Sequence, residues 1–182
     1  MDDVLREVQA AKISSLKIFE EKKFSREIPL REASYALYNP DGVARSLTGE
    51  VIKRFENKGY KLVAIKMLNA QRSVLEKHYA HLADLPNKNI FPEVVNHMTS
   101  GPVVAMVWEG RGVVEGGRQI LGATRPWQAA PGTIRADFAT DVGRNICHGS
   151  DTVENANKEI ELWFNNQIVE WNRGKVEDAI YE

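Results

Sequence analysis

Hydrophobic and polar positions follow a strand-like pattern in some segments of the chain and a helical pattern in others. These segments take turns along the chain, which predicts alternating strands and helices. Apolar residues spaced about 3.6 residues apart are typical of one buried helix face, whereas a short continuous apolar run is typical of a strand buried on both sides. Strands are predicted over residues 34–38, 61–68 and 103–108. Helices are predicted over residues 47–58, 71–83, 92–100, 113–121 and 152–164.

Turn and cap residues separate these elements. Residues 39–42 read Asn-Pro-Asp-Gly and predict a turn after the first strand, while Gly59 predicts a helix C-cap. Ser150 or Asp151 is the predicted N-cap of the last of these helices, and residues 124–134 are predicted to be largely loop. Because strands and helices alternate and hairpin turns are few, we expect an α/β sandwich in which helices cover a sheet of about four strands. The pattern leaves the strand order open.

The first 28 residues differ from the rest of the chain. Their apolar positions fall near a helical period, although Lys12 interrupts the stripe: Val4, Leu5, Val8, Ala11, Leu16 and Phe19. We therefore predict an amphipathic helical extension over residues 1–28, ending before Pro29, and a globular domain over residues 29–182.

Composition narrows the class of protein. The 182 residues are 43% hydrophobic and 27% charged, with a net charge of -1, which is ordinary for a folded domain and not basic enough for a mainly electrostatic nucleic-acid binder. Cys147 is the single cysteine, so we expect neither an intramolecular disulfide nor a multi-cysteine zinc site. No apolar run is long enough to cross a membrane and the N-terminus lacks the pattern of a secretory signal. These features predict a cytoplasmic location, without a membrane partner or a specific nucleic-acid partner.

His148 is the histidine with the most informative surroundings. It follows a predicted loop over residues 143–147 and precedes Gly149, which would allow a ligand to approach closely. The nearby sequence carries groups suited to phosphate: Arg118, Thr124, Arg135, Arg144 and Asn145. Arginine binds two phosphate oxygens at once, and neutral imidazole is nucleophilic near pH 7, so the combination indicates phosphoryl transfer.

Two simpler interpretations stay open on the residues alone. A single histidine in a loop is more often structural or merely exposed. His78 and His81 are spaced by three on a predicted helix, which is a weak indication of a metal site, and His97 is expected on a surface or partly buried helix.

Several motifs in order resemble the nucleoside diphosphate kinase family. Residues 145–151 read N-I-C-H-G-S-D and match that family's N-x-x-H-G-S-D signature. Residues 100–110 resemble its S-G-P-V-V-A-M-V-W-E-G segment, and residues 131–138 its P-G-T-I-R-x-D-F segment. Residues 49–59 resemble its first helix. The resemblance covers residues 34–182.

The resemblance implies a ferredoxin-like βαββαβ sandwich with an antiparallel four-stranded sheet. It also implies a ping-pong reaction in which His148 takes the γ-phosphate of a nucleoside triphosphate and passes it to a nucleoside diphosphate. Glu159 would hold the imidazole and Ser150 would support Glu159. The positions that match phosphate, sugar and base contacts are Tyr79, Arg118, Thr124, Arg135, Val142, Gly143 and Asn145. Mg²⁺ would be held mainly by nucleotide phosphates, with no metal ligands from the protein, and the chain would form a homo-oligomer, expected to be a hexamer.

Two departures from the family pattern affect nucleotide binding. The family's phosphate-binding lysine is replaced by Asn39, and Arg125 on another loop is one candidate for replacing that charge. Residues 87–89 form an insertion, after which Ile90 takes the place of an aromatic residue that stacks on the base. Two hypotheses follow: a working nucleoside diphosphate kinase with slower chemistry or altered affinity, or a weakened homologue that binds nucleotides or proteins and has little turnover. The retained His148 favours the enzyme.

Overall fold

The structure is a computed structural model that describes residues 32–180. The predicted amphipathic helix over residues 1–28 lies outside the described residues, so it stays a prediction.

A single four-stranded sheet organises the described residues. Its strands are β1 (Ala33–Tyr38), β2 (Lys61–Leu68), β3 (Val103–Glu109) and β4 (Cys147–Gly149), in the order β2-β3-β1-β4. Each neighbouring pair is antiparallel. Together with the intervening helices this is the ferredoxin-like sandwich that the resemblance implied, and it answers the question of strand order that hydrophobic periodicity left open.

Eight α-helices lie in the described part of the chain. They are α1 (Pro40–Ala44), α2 (Thr48–Asn57), α3 (Arg72–His78), α4 (Ile90–Met98), α5 (Val113–Leu121), α6 (Ile134–Phe138), α7 (Val153–Phe164) and α8 (Lys175–Ile180). Short 3₁₀ turns occur at Ala80–Leu82 and Pro126–Gln128. No helix within residues 32–180 has both the length and the apolar character needed to cross a membrane.

Two hydrophobic cores lie on opposite faces of the sheet, and β3 is therefore buried on both sides. Successive strand residues point to opposite faces, so Trp108 belongs to one core and Val107 to the other. In the first core the Trp108 ring stacks on Phe55 of α2, with ring centroids 5.0 Å apart. In the second core Tyr35 of β1 stacks on Trp163 of α7 at 5.7 Å. The sheet therefore fixes α7, which carries Glu159, against β1.

The structure corrects five details of the sequence-based prediction. Residues 39–42 are not an isolated turn, because Pro40 begins α1 and its fixed φ suits a first helical position. The predicted helix over residues 71–83 ends as an α-helix at His78 and continues as a 3₁₀ turn. The helix predicted over residues 92–100 spans Ile90–Met98 instead.

The fourth correction concerns the strand that carries His148. Sequence analysis placed this histidine in a loop, but it lies in β4, paired with Leu37 of β1. The N-cap of the following helix α7 is Thr152, whose side chain accepts a hydrogen bond from the backbone N–H of Asn155, rather than Ser150 or Asp151. Ser150 is buried and its hydroxyl is used elsewhere.

Candidate active site

A cleft of about 1400 Å³ opens beside β4. Apart from Ser150, every residue predicted to act in catalysis or nucleotide binding contributes to its lining: Asn39, Tyr79, Ile90, Arg118, Thr124, Arg135, Val142, Gly143, Asn145, His148 and Glu159. These residues come from all parts of the fold between the end of β1 and the middle of α7. The fold thus brings together side chains that are up to 120 positions apart in the chain.

His148 is partly exposed to the cleft and is held from one side. Its Nε2 lies 3.0 Å from Oε1 of Glu159, and its side chain is 29% exposed. A neutral imidazole whose Nε2–H donates to this carboxylate has its lone pair on Nδ1. The hydrogen bond therefore selects Nδ1 as the nucleophilic nitrogen. Tyr79 packs edge-on against the same ring, with ring centroids 6.0 Å apart.

Ser150 connects Glu159 to the sheet. Its hydroxyl donates to Oε2 of Glu159 and accepts from the backbone N–H of Tyr35 in β1 at 3.2 Å. Ser150 is only 1% exposed and does not line the cleft. Both carboxylate oxygens of Glu159 are therefore occupied, one by Ser150 and one by His148, which restricts the rotation of the carboxylate.

Ser150→Ala is expected to slow turnover about five- to tenfold, because Glu159 would lose one of its two anchors and would hold the imidazole less rigidly. It should also lower the free energy of unfolding by about 1–3 kcal/mol, since the buried backbone N–H of Tyr35 would lose its side-chain acceptor. Steady-state kinetics and urea unfolding would measure the two effects. An unchanged turnover number in a destabilised variant would limit Ser150 to a structural role.

The arginines supply positive charge at two depths of the cleft. Arg118 on α5 is exposed, whereas Arg135 on α6 is only 8% exposed. The Arg135 guanidinium donates to the carbonyls of Gly122 and Cys147, at 2.5 and 2.6 Å. Burial lowers the pKa of Arg135, yet arginine stays protonated in proteins. Arg135 is therefore a fixed cation next to the strand that carries His148.

Three polar residues that line the same cleft form a short hydrogen-bonded chain. The Asn39 amide donates to Oδ1 of Asn145 at 3.3 Å, and the Asn145 amide donates to the carbonyl of Thr124 at 3.4 Å. Oδ1 of Asn39 is buried and has no hydrogen-bond partner among the described residues. The three predicted binding positions thus form one amide cluster on the cleft wall.

Part of the lining is apolar. Ile90 is the first residue of α4, and Val142 is 39% exposed in the loop before β4. These side chains, with the backbone of Gly143, give an aliphatic surface against which a planar base can pack without aromatic stacking. In the insertion over residues 87–89, Lys88 donates to the carbonyl of Ala83 at 3.1 Å.

His78 is a site residue that sequence reasoning missed. Its ring packs edge-on against His148, with ring centroids 4.9 Å apart, and its Nδ1 accepts a hydrogen bond from Trp163 at 3.3 Å. Burial, followed by the nearby His148 and His81, lowers the pKa of His78 well below its ordinary value, so the ring is neutral. Its position next to Tyr79 was the sequence signal for a place in the site. The spacing of three residues suggested His81 as its partner instead. His81 is exposed, however, and the histidine that packs against His78 is His148.

The described residues do not offer a protein cage suited to Mg²⁺. Within residues 32–180 one group has metal-ligand geometry, formed by His78, His148 and Glu159. Two imidazoles and one carboxylate differ from the oxygen ligands that Mg²⁺ prefers. The carboxylate is in addition already bonded to Ser150.

Other charged side chains in the lining also went unpredicted. Lys77 and Lys158 add positive charge to the cleft, whereas Arg144 was expected from the sequence. Arg125 is exposed, and the residues that line the cleft do not include it. The suggestion that Arg125 replaces the missing lysine therefore gains no support from the geometry.

Comparisons with known proteins show which family the sequence matches. Residues 32–169 match the sequence model of the family described as Nucleoside diphosphate kinase. The chain is 55% identical over 151 residues to Nucleoside diphosphate kinase 1 of Oryza sativa subsp. japonica, covering 83% of this chain and 99% of the rice protein. It is 56% identical over 153 residues to the Nucleoside diphosphate kinase of Drosophila melanogaster, covering 84% and 97%.

Solved structures show the same likeness. The apo nucleoside diphosphate kinase of Encephalitozoon cuniculi superposes with a TM-score of 0.78 at 43% identity, covering 82% of this chain and 99% of that one. A halophilic nucleoside diphosphate kinase from Halobacterium salinarum in complex with CDP also has a TM-score of 0.78, at 40% identity, and covers 84% and 99%.

Proposed function

The chain belongs to the nucleoside diphosphate kinase family and is a phosphotransferase of that kind, and we propose that it transfers the phosphoryl group through Nδ1 of His148. The hydrogen bond between Nε2 of His148 and Glu159 carries this proposal, because it leaves Nδ1 as the free nucleophile in the cleft. The alternative of a homologue that only binds nucleotides or proteins is favoured by no observation.

The first half-reaction forms a phosphohistidine. The Nδ1 lone pair of His148 attacks the γ-phosphorus of a nucleoside triphosphate, the bond from that phosphorus to the bridging oxygen breaks, and the nucleoside diphosphate leaves with the electron pair. The ring becomes cationic as the N–P bond forms, and the Glu159 carboxylate at Nε2 stabilises that charge.

The second half-reaction reverses these bonds. A terminal phosphate oxygen of a second nucleoside diphosphate attacks the phosphorus, the N–P bond breaks, and its electron pair returns to Nδ1. One site can serve both nucleotides because both present the same phosphates to the same groups. We propose that Arg118, Arg135 and Thr124 contact those phosphates.

The remaining binding positions act on the sugar and base. We propose that Asn39 and Asn145 contact the sugar and the adjoining phosphates. Tyr79 packs beside the reacting phosphate in this arrangement. The base lies against Ile90, Val142 and Gly143. Such apolar contact with the base gives weak discrimination among bases.

We propose Mg²⁺ as the cofactor, held by nucleotide phosphate oxygens and water rather than by carboxylates of the chain. The ion would neutralise phosphate charge. The donor set of the cleft supports this, because its arginines can bind phosphates while the His78–His148–Glu159 group does not suit the ion.

Incubation with γ-labelled nucleoside triphosphate tests the function. We expect acid-labile label on the protein, followed by its quantitative discharge when unlabelled nucleoside diphosphate is added. Label that forms but does not discharge would contradict the ping-pong sequence, and a protein that takes no label would contradict the role of His148. A diphosphate differing in base from the triphosphate makes the transferred label easy to follow.

We propose in addition that the chain is cytoplasmic and that it forms a homo-oligomer, namely a hexamer. Several large apolar side chains on the loop after α5 and on the C-terminal segment are exposed in the single chain, at 36% to 66%: Trp127, Val169, Trp171, Val176 and Ile180. Exposed apolar groups of this size favour burial between subunits.

Light scattering coupled to size exclusion at micromolar concentration is expected to give a mass about six times that of the 20.5 kDa chain. Trp127→Ser, on the loop, should reduce that mass if the loop lies between subunits. A mass equal to one chain would refute the assembly without affecting the proposed chemistry.

A further inference from the structure

Two positions before His148 the backbone makes a strained turn. The N–H of Cys147 donates to the carbonyl of Asn145 at 2.8 Å, and Ile146 between them has a φ of 74°. This is a γ-turn with positive φ, which is rare, and a β-branched residue is an outlier in that region. Such strained backbone persists only where the surrounding structure holds it in place.

The segment at the start of α1 holds this turn from both ends. The backbone N–H of Ile146 donates to Oδ2 of Asp41 at 3.1 Å, and its carbonyl accepts from the backbone N–H of Asn39 at 2.9 Å. Gly42 permits the close approach, because a Cβ there would lie 3.1 Å from the Ile146 carbonyl oxygen and 2.8 Å from the Tyr38 ring. The Ile146 side chain is fully buried.

The Asp41 carboxylate is itself oriented. Its Oδ1 lies 3.0 Å from Nε2 of His97 on α4, and the two side chains are only 9% and 12% exposed. Burial raises the pKa of Asp41, but the hydrogen bonds from His97 and from the Ile146 backbone outweigh this and lower it below its usual value. Asp41 is therefore a buried carboxylate ion whose two oxygens have separate partners.

The γ-turn sets the direction of side chains on both sides of it. Asn145, which precedes Ile146, belongs to the amide cluster with Asn39, and His148 follows after one residue. We propose that Asp41, oriented by His97, is a positioning residue for phosphoryl transfer: it holds the γ-turn at Ile146 and so aims Asn145 and His148 into the cleft. The inference rests on the proposed role of His148.

Replacing the acceptor tests this role. Asp41→Ala removes the acceptor for the Ile146 N–H, and we expect the rate of His148 phosphorylation in a single turnover to fall about 10- to 30-fold, because small misplacements of reacting groups are costly. The KM for the nucleoside triphosphate should change less than about threefold. Asp41→Asn keeps an oxygen that can accept from Ile146, so it should recover most of the rate.

Asp137→Ala is the matched control. Asp137 likewise accepts from a side chain, that of Arg54 at 2.7 Å, and from a backbone N–H, that of Gly132 at 3.0 Å, but neither partner belongs to the γ-turn. Its loss should lower thermal stability with less than a twofold change in the phosphorylation rate. If Asp41→Ala phosphorylates at the wild-type rate, or if the control slows equally, the positioning role is wrong.

His97 provides a second set of variants in case Asp41→Ala does not fold. His97→Gln keeps a side-chain N–H donor for Asp41 and should stay near the wild-type rate, whereas His97→Leu removes it and should slow phosphorylation about three- to tenfold. Equal rates in these two variants would overturn the part assigned to His97. Failure of the wild-type protein to form phosphohistidine would instead contradict the proposed function.

Discussion

His148→Ala is expected to abolish acid-labile phosphorylation and to lower the turnover number by about 10⁴-fold or more. Removing the nucleophile of a covalent mechanism leaves only the binding and charge of the site, which cannot form the intermediate. Nucleotide affinity should change little, because the arginines and the amide cluster remain. Labelling with γ-labelled triphosphate and equilibrium binding of a nucleoside diphosphate would measure the two quantities separately.

His81→Ala is the comparison for this experiment. His81 also lines the cleft but is exposed, and the two oxygens of Glu159 are hydrogen-bonded to His148 and Ser150. We expect the His81 variant to be labelled as the wild-type protein is. Stoichiometric acid-labile label on the His148 variant would mean that another nitrogen accepts the phosphate.

The fold was predictable from the sequence to the extent that its elements are long and periodic. β2 was predicted at its observed bounds, and so was α5, because each has at least eight residues and a clear apolar pattern. β4 has only three residues, which is too short for any period to be visible, and it is recognisable only through its pairing with β1. The antiparallel strand order came from the family resemblance, since alternation of strands and helices is equally compatible with a parallel sheet.

The candidate site likewise has residues that the sequence could predict and contacts that it could not. Its polar residues could be predicted because the residue types themselves indicate phosphate chemistry and because the motifs match a family. What the sequence could not show were contacts made through burial. His78 lies against His148 because α3 packs beside α7, and the positive φ of Ile146 is unexpected for a β-branched residue. Both depend on tertiary packing that overrides local preference.

The N-cap of α7 is another feature that the sequence alone could not determine. Ser150, Asp151 and Thr152 are all good N-cap residues, so composition alone does not distinguish them. The structure uses Thr152, because Ser150 is buried against Tyr35 and Glu159 and its hydroxyl is already hydrogen-bonded. The hydrogen bonds that Ser150 makes in the site therefore keep it from acting as the N-cap.

Asn39→Lys is expected to raise the rate of phosphoryl transfer by up to about 10²-fold. Asn39 lies two residues beyond Leu37, which pairs with His148, and its backbone is extended, so its side chain leaves the chain on the same face as the imidazole. An ammonium group about 4 Å from a phosphate oxygen, at an effective dielectric near 20, contributes up to roughly 4 kcal/mol before desolvation is discounted. Half of that corresponds to about a 30-fold change in rate.

The structure indicates that the site can accept this change. The Asn39 side chain lines the cleft, so a longer chain can extend into open volume, and Oδ1 of Asn39 gives up no hydrogen bond among the described residues. The bond from the Asn39 amide to Asn145 is lost, but the lysine ammonium can donate in its place. Asn39→Met, which has a similar length and no charge, separates the effect of charge from that of volume.

Single-turnover phosphorylation of His148 and nucleotide affinity would be measured for both variants over a range of salt concentrations. The gain in the lysine variant should shrink as salt rises, because the added attraction is electrostatic and partly exposed, and the methionine variant should show no gain. Arg125→Asn should add independently to Asn39→Lys, since Arg125 does not line the cleft. A rate that Asn39→Lys leaves unchanged would mean that cations already in the lining, such as Arg118 and Arg135, supply the missing charge.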